Sequence, residues 1–104
     1  MAQFDVYTNQ NPVTKRAIPY LLDIQTDLLN NLTTRVVIPL YTVSAMGKAA
    51  KHLNIQFSVK RTSVIMSTAE LAGVAVNSLG DKECSLKEHR NEIIAALDFL
   101  LTGF

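Results

Sequence analysis

Apolar and polar positions alternate in short bursts along most of this chain, and a helical period appears only in its last stretch. Phe4 and Val6 alternate with Asp5 and Tyr7, which predicts a half-buried strand over residues 3–8. It stops at Asn9-Gln10-Asn11-Pro12, a run of turn-forming residues, and Lys15-Arg16 keeps the next connection wet until Pro19. From Tyr20 the alternation resumes, with Leu22 and Ile24 opposite Leu21, Asp23 and Gln25, predicting a second strand to Thr26. Asp27 to Thr34 sets Leu28, Leu29 and Leu32 among asparagines and threonines, the composition of an irregular turn that holds apolar side chains outward. Arg35 to Leu40 contains the β-branched run Val36-Val37-Ile38 and predicts a more buried third strand, ended or placed at an edge by Pro39. Between Tyr41 and Leu53 the alanines and Met46 favour helix while Gly47 interrupts them, so helix and loop both remain open. Ile55, Phe57 and Val59, then Ser63 to Met66, read as a hairpin whose loop, Lys60-Arg61-Thr62, carries charge. Thr68 to Ala72 starts a short helical turn. Gly73 to Leu79 alternates once more and gives way at Gly80-Asp81 to a polar link.

The final twenty residues differ. Ser85 and Glu88 have capping-box spacing, so a helix is expected to begin there. At 100° per residue Leu86, Ile93, Ile94, Leu97, Leu100, Leu101 and Phe104 fall within an arc of roughly 120°, with Arg90 inside it and Phe99 outside. Gly103 breaks the helix one residue before Phe104. This helix either docks on a sheet or also projects its tip, Thr102-Gly103-Phe104, as a contact surface. About six sequential strands followed by one helix predict a single α+β domain over residues 1–104, mainly β, built on a curled antiparallel sheet that can close into a small barrel.

Composition narrows the functions. Ten basic and nine acidic side chains give a net charge of +1, so no general field gathers nucleic acid and any phosphate binding needs a local patch. Lys48, Lys51 and His52 form one small basic cluster, and Lys60 with Arg61 another; both read as solvated surface. Cys84 is the only cysteine, which rules out an intrachain disulfide, and with His52 and His89 it makes no recognisable zinc spacing. No metal or cofactor is expected. The amino-terminal residues lack a basic region and an apolar core, and no run is long enough to span a bilayer, so a cytoplasmic protein is expected. The four glycines lie far apart and build no phosphate loop, and no spacing orders a nucleophile, a base and an orienter, so no catalytic residues are assigned. Asp23 and Asp27 would lie roughly 13 Å apart on a strand; they read as surface or turn residues, Asp27 bracing its turn.

Several blocks together resemble the CcdB family of toxins: Gln3-Phe4 with Val6-Tyr7, Asp23-Ile24-Gln25-Thr26-Asp27-Leu28-Leu29, Arg35-Val36-Val37-Ile38-Pro39-Leu40, and Asp98-Phe99-Leu100-Leu101-Thr102-Gly103-Phe104. The resemblance runs from end to end and is weakest over residues 41–61. It implies a small SH3-like antiparallel barrel with a second short sheet and the C-terminal α-helix, assembled as a homodimer. It further implies a non-enzymatic toxin of a toxin–antitoxin pair that binds the DNA gyrase A subunit and traps it on cleaved DNA, neutralised by a CcdA-like antitoxin and without nucleic-acid binding of its own. Carried over by position, the gyrase contact falls on Leu28, Leu29, Asp98, Leu101, Thr102, Gly103 and Phe104.

Two positions depart from the family pattern. Thr102 stands where the best-known pattern has tryptophan, which removes an aromatic anchor of the kind that dominates interfaces, and Ala75 stands where proline is usual. Two competing expectations follow. One is a weakly toxic or inactive relative that only dimerises and binds antitoxin. The other is a toxin ribonuclease on the same barrel, with Arg16, Arg35 and Arg61 beside acids or hydroxyls at the cleavage site.

Overall fold

The computed structural model describes residues 1–47 and 53–103. The cluster Lys48, Lys51 and His52, the alanines Ala49 and Ala50, and Phe104 lie outside the described residues. Strands β1 (Asp5–Asn9), β2 (Tyr20–Asp23), β3 (Thr34–Thr42), β4 (Gln56–Val59), β5 (Thr62–Met66), β6 (Ala72–Ala75) and β7 (Leu79–Ser85) form one sheet, joined by a short helix α1 (Val43–Met46) and closed by α2 (Arg90–Thr102). Every pairing is antiparallel, in the order β4-β5-β3-β2-β1-β7 with β6 also paired to β3. The second short sheet is continuous with the first, because β3 is long enough to pair its first half with β6 and its last residues with β5. The result is a small α+β domain, a curled antiparallel sheet with one C-terminal helix.

Pro39 does not end β3. Its carbonyl accepts from the Ser67 amide at 3.0 Å, so the side on which it lacks an N–H faces the gap between β6, which pairs as far as Val37, and β5, which pairs from Leu40. No ladder bond is needed there, and a proline fits.

The main core gathers Phe4, Val6, Leu22, Ile38, Leu40, Phe57, Val59, Val64 and Met66 against Leu86, Ile93 and Ala96 of the C-terminal segment. A smaller cluster of Tyr7, Val37 and Leu79 lies apart from it, backed by Leu21 and Val74. Because β1 contributes Val6 to one cluster and Tyr7 to the other, it is buried on both faces rather than half-buried. Phe4 leads into it with φ of 72°, a conformation that costs an L-residue about 1–2 kcal/mol. Two backbone bonds hold it there, Phe4 N to Asp23 O at 2.6 Å and Leu86 N to Phe4 O at 2.8 Å.

The polar link expected after Gly80 is instead β7, held to β1 through two register shifts. Its approach is close: a Cβ on Gly80 would lie 2.9 Å from the Thr8 carbonyl oxygen, so only glycine fits. Ser85 Oγ accepts from the Lys87 amide at 3.2 Å, but α2 begins later, at Arg90, after a single 3-10 turn over Lys87–His89. Gly103 caps the helix with φ of 79°, its amide donating to Phe99 O.

Candidate functional site

The residues carried over from the family resemblance sit on two separate elements. A 3-10 turn over Asp27–Leu29 holds Leu28 90% and Leu29 45% exposed. At the end of α2, Asp98, Leu101, Thr102 and Gly103 are exposed, Leu101 at 75%. The Thr102 hydroxyl turns back to donate to Asp98 O at 2.7 Å. Among the described residues this tip offers Leu101 as its one large exposed apolar side chain, and Phe99 is half-buried.

The turn is set by a buried polar network that the alternating pattern does not reveal. Asp23, read as surface, is fully buried and receives Arg35 Nε at 2.9 Å and Nη2 at 2.6 Å on one carboxylate oxygen, with the Gln25 amide on the other at 2.9 Å. Arg35 also donates to Asn30 Oδ1 at 2.7 Å and to Gln25 O at 3.2 Å. The Gln25 side chain donates to Leu29 O and Thr34 O and accepts from the Val36 amide. Asp27 Oδ1 accepts from the Gln3 amide at 2.7 Å, which braces the turn against the amino-terminal segment. Burial raises the Asp23 carboxyl above its ordinary value, against the opposing pull of the Arg35 guanidinium and the Gln25 amide. Tyr7 donates to Asp5 Oδ2 at 3.3 Å, and burial, reinforced by the Asp5 carboxylate, pushes its hydroxyl up to about 12. Arg35 is therefore a structural residue with no surface to offer a substrate, a correction to its place among the cleavage-site arginines.

Arg16 has a different setting. The connection from β1 to β2 folds into overlapping turns, with Lys15 N on Asn11 O at 2.9 Å and Ile18 N on Thr14 O at 2.8 Å. Buried Asn9 locks it: its Nδ2 donates to Thr14 Oγ1 at 3.0 Å and Ile18 O at 2.8 Å, and its Oδ1 accepts from the Asn11 amide. This fixed loop presents Lys15 and Arg16 to solvent beside a cleft of about 500 Å³ lined also by Thr8, Pro19, Tyr20 and Glu83. Glu83 is brought in by β7, and Lys60 from the hairpin tip stands 3.5 Å from its carboxylate. Lys60 and Arg61 make that tip with φ of 47° and 68°, the left-handed pair that a two-residue hairpin requires. One cleft thus holds a carboxylate able to take a proton, an ammonium and a guanidinium able to bind negatively charged oxygens, and two hydroxyls. Lys15, Glu83, Thr8 and Tyr20 were not singled out from sequence. The Lys15-Arg16 pair in a turn-rich loop is the available signal in the sequence, whereas Glu83 lies in β7, whose polar composition reads as a link.

Cys84 is a half-buried thiol raised further above its ordinary value by burial and by Glu83, as fits a structural role. Among the described residues no three of His, Cys, Asp and Glu converge as metal ligands, and no helix is long and apolar enough to cross a membrane.

The sequence profile of the CcdB protein matches residues 3–103. The chain belongs to the CcdB protein family. No curated protein sequence matches this CcdB-family chain. Among solved structures, its fold is similar to an endoribonuclease in complex with its cognate antitoxin from a mycobacterial species, with a TM-score of 0.76 over 97% of this chain and 94% of that one at 14% identity. It is also similar to an Mtb toxin, with a TM-score of 0.71 over 91% of this chain and 98% of the other at 14% identity. An endoribonuclease from a mycobacterial species follows with a TM-score of 0.69, covering 97% and 90% of the two chains at 14% identity.

These neighbours overturn the expectation of a non-enzymatic gyrase poison. The names they carry are those of endoribonucleases and a toxin, and an antitoxin is the partner named. The DNA gyrase A subunit as partner, the description as a gyrase inhibitor and topoisomerase poison, and the expectation that the chain is not an enzyme are corrected with it.

Proposed function

We propose that this CcdB-family chain is a toxin endoribonuclease restrained by a cognate antitoxin, and that it cuts RNA in the cleft of Lys15, Arg16 and Glu83. The observation that carries the reading is that cleft, in which a carboxylate and two cations face one space. The names of the structural neighbours support the endoribonuclease part, and the family supports the toxin part. A ribose 2′-hydroxyl attacks the adjacent phosphorus, and the Glu83 carboxylate accepts its proton. Arg16 binds the non-bridging phosphate oxygens as their charge grows, and a fork of N–H donors suits that geometry. Lys15 returns a proton to the departing 5′-oxygen, leaving a 2′,3′-cyclic phosphate on one fragment and a 5′-hydroxyl on the other. No oxidant or metal enters this balance.

The test is incubation of the purified chain with RNA, followed by identification of the new ends. Glu83→Gln and Arg16→Ala are each expected to slow cleavage by about 10²–10⁴-fold, the usual worth of a positioned acid, base or oxyanion partner. Intact RNA with the unaltered protein, or cleavage indifferent to both substitutions, overturns the reading.

Leu28, Leu29, Asp98, Leu101, Thr102 and Gly103, with Phe104 beyond the described residues, belong in this proposal to a surface that meets the antitoxin, supported by the exposure of Leu28 and Leu101. A cytoplasmic homodimer completes the reading, as the family suggests; a monomer by analytical ultracentrifugation would remove that part alone.

A further inference from the structure

The loop that presents Lys15 and Arg16 has a second side. There, Gln10, Asn11, Ile18, Leu21 and Val74 line a depression of about 520 Å³ that shares Asn9 with the cleft. Its composition is divided: Ile18, Leu21 and Val74 are apolar and half-buried, while Gln10 and Asn11 are exposed amides. Asn9 is committed to holding the loop and is not available to a ligand. Asn11 Oδ1 accepts from the Val13 amide at 2.9 Å, which fixes the orientation of its side chain and turns the Nδ2 donors away from that bond. The Gln10 amide makes no side-chain hydrogen bond among the described residues. Its stem is nonetheless placed, since Gly80 of β7 runs so close that a Cβ there would fall 3.2 Å from Gln10 Cγ.

A flat partner with an apolar face and an edge of adjacent donors and acceptors matches this arrangement. A carboxamide offers a donor and an acceptor side by side, the pattern that pairs with a nucleobase edge, and the aliphatic side chains meet the ring face. The competing ligand chemistries fit less well. A free phosphate would seek the cations on the other side of the loop, and a purely aliphatic ligand would leave the amides unpaired.

Resting on the ribonuclease reading, we infer that this depression is a nucleobase subsite flanking the scissile phosphate, with Gln10 and Asn11 reading the base edge and Ile18, Leu21 and Val74 supporting its face. Base preference at one position beside the cut is then set here, apart from the groups that break the bond.

The experiment uses four oligonucleotides, each with a single ribonucleotide in an otherwise deoxy strand so that one bond can be cut, differing in the base next to that bond. The unaltered protein is expected to favour one base by about 10-fold or more, as a bidentate amide contact provides. Gln10→Ala and Val74→Trp should flatten this preference by bringing cleavage of the favoured base down towards that of the other three. A preference that survives both substitutions overturns the inference and leaves the ribonuclease reading standing. In parallel, the four nucleoside monophosphates are titrated into the isotope-labelled protein and the Gln10, Asn11 and Val74 backbone resonances are followed. If RNA stays uncut yet these resonances shift with one base, the subsite stands and the cleavage reading falls. Unmoved resonances with uncut RNA remove both.

Discussion

Arg35 directs its donors inward, to Asp23, Asn30 and the Gln25 carbonyl, and this explains why one block of the sequence is both polar and buried. A guanidinium and a carboxylate out of water are tolerated only when paired and bonded in this way, because removing either partner strands a buried charge. Tyr7 shows the same burial acting on a single proton. Its hydroxyl, ordinarily near 10.0, is pushed up to about 12 by burial and by Asp5, so the folded chain keeps a proton that the unfolded chain releases in between. The resulting stabilisation is fully present below pH 10 and is lost as pH rises through the folded value. At about 1.4 kcal/mol per pH unit, the loss reaches at most about 3 kcal/mol. Tyr7→Phe should lack it. Urea unfolding of both proteins across this window checks the point: parallel curves would mean that Tyr7 does not carry the alkaline loss. The alternation of Phe4 and Val6 was legible in the sequence, but the burial of Asp5, Tyr7 and Asp23 was not, because a period of two reports sides of a strand and cannot tell whether both sides are covered.

The turn over Asp27–Leu29 is an apolar presentation built on polar fixings. Thr26 Oγ1 accepts from the Leu28 amide, Asp27 is bonded to the Gln3 amide, and Gln25 and Asn30 anchor the two ends, so Leu28 stands in solvent on a rigid support. A side chain held out in this way loses little entropy when a partner covers it. If the antitoxin docks here, Leu28→Ser should weaken its binding by about 10- to 100-fold, the worth of one buried leucine, without changing RNA cleavage. Leu101→Ser probes the helix end in the same titration. Unchanged antitoxin affinity in both variants would remove this surface from the proposal. The outward leucines and the Lys60-Arg61 hairpin were legible because turn chemistry is local. The lengths of β3 and β7 were not: Pro39 is accommodated by a change of pairing partner, and β7 is polar because it lies at the end of the sheet order, where pairing with β1 holds it without apolar alternation.

At the scale of the molecule, the sheet brings together charges that the sequence keeps far apart. Lys15 and Arg16 come from the β1–β2 loop, Glu83 from β7 and Lys60 from the β4–β5 hairpin, and the curl of the sheet sets the hairpin tip beside β7. Global charge says nothing of this, since a net charge of +1 describes a nearly neutral protein. Electrostatic attraction for RNA must then be local and short in range, falling within about 10 Å at ordinary salt. Each phosphate neutralised on a single strand lowers the logarithm of the binding constant by about 0.7 per decade of salt. Three cations, Lys15, Arg16 and Lys60, therefore predict a slope of about −2, and a loss of about 15-fold in affinity between roughly 50 and 200 mM salt. A 2′-O-methyl RNA, which lacks the attacking hydroxyl, allows this to be measured by fluorescence anisotropy without cleavage. Lys60→Ala should reduce the slope by about 0.7 while freeing Glu83 from its ion pair. A slope near zero would place RNA contact elsewhere. A steep slope unaltered by Lys60→Ala would confine the contact to the loop, leaving Lys60 as the partner of Glu83 and no more.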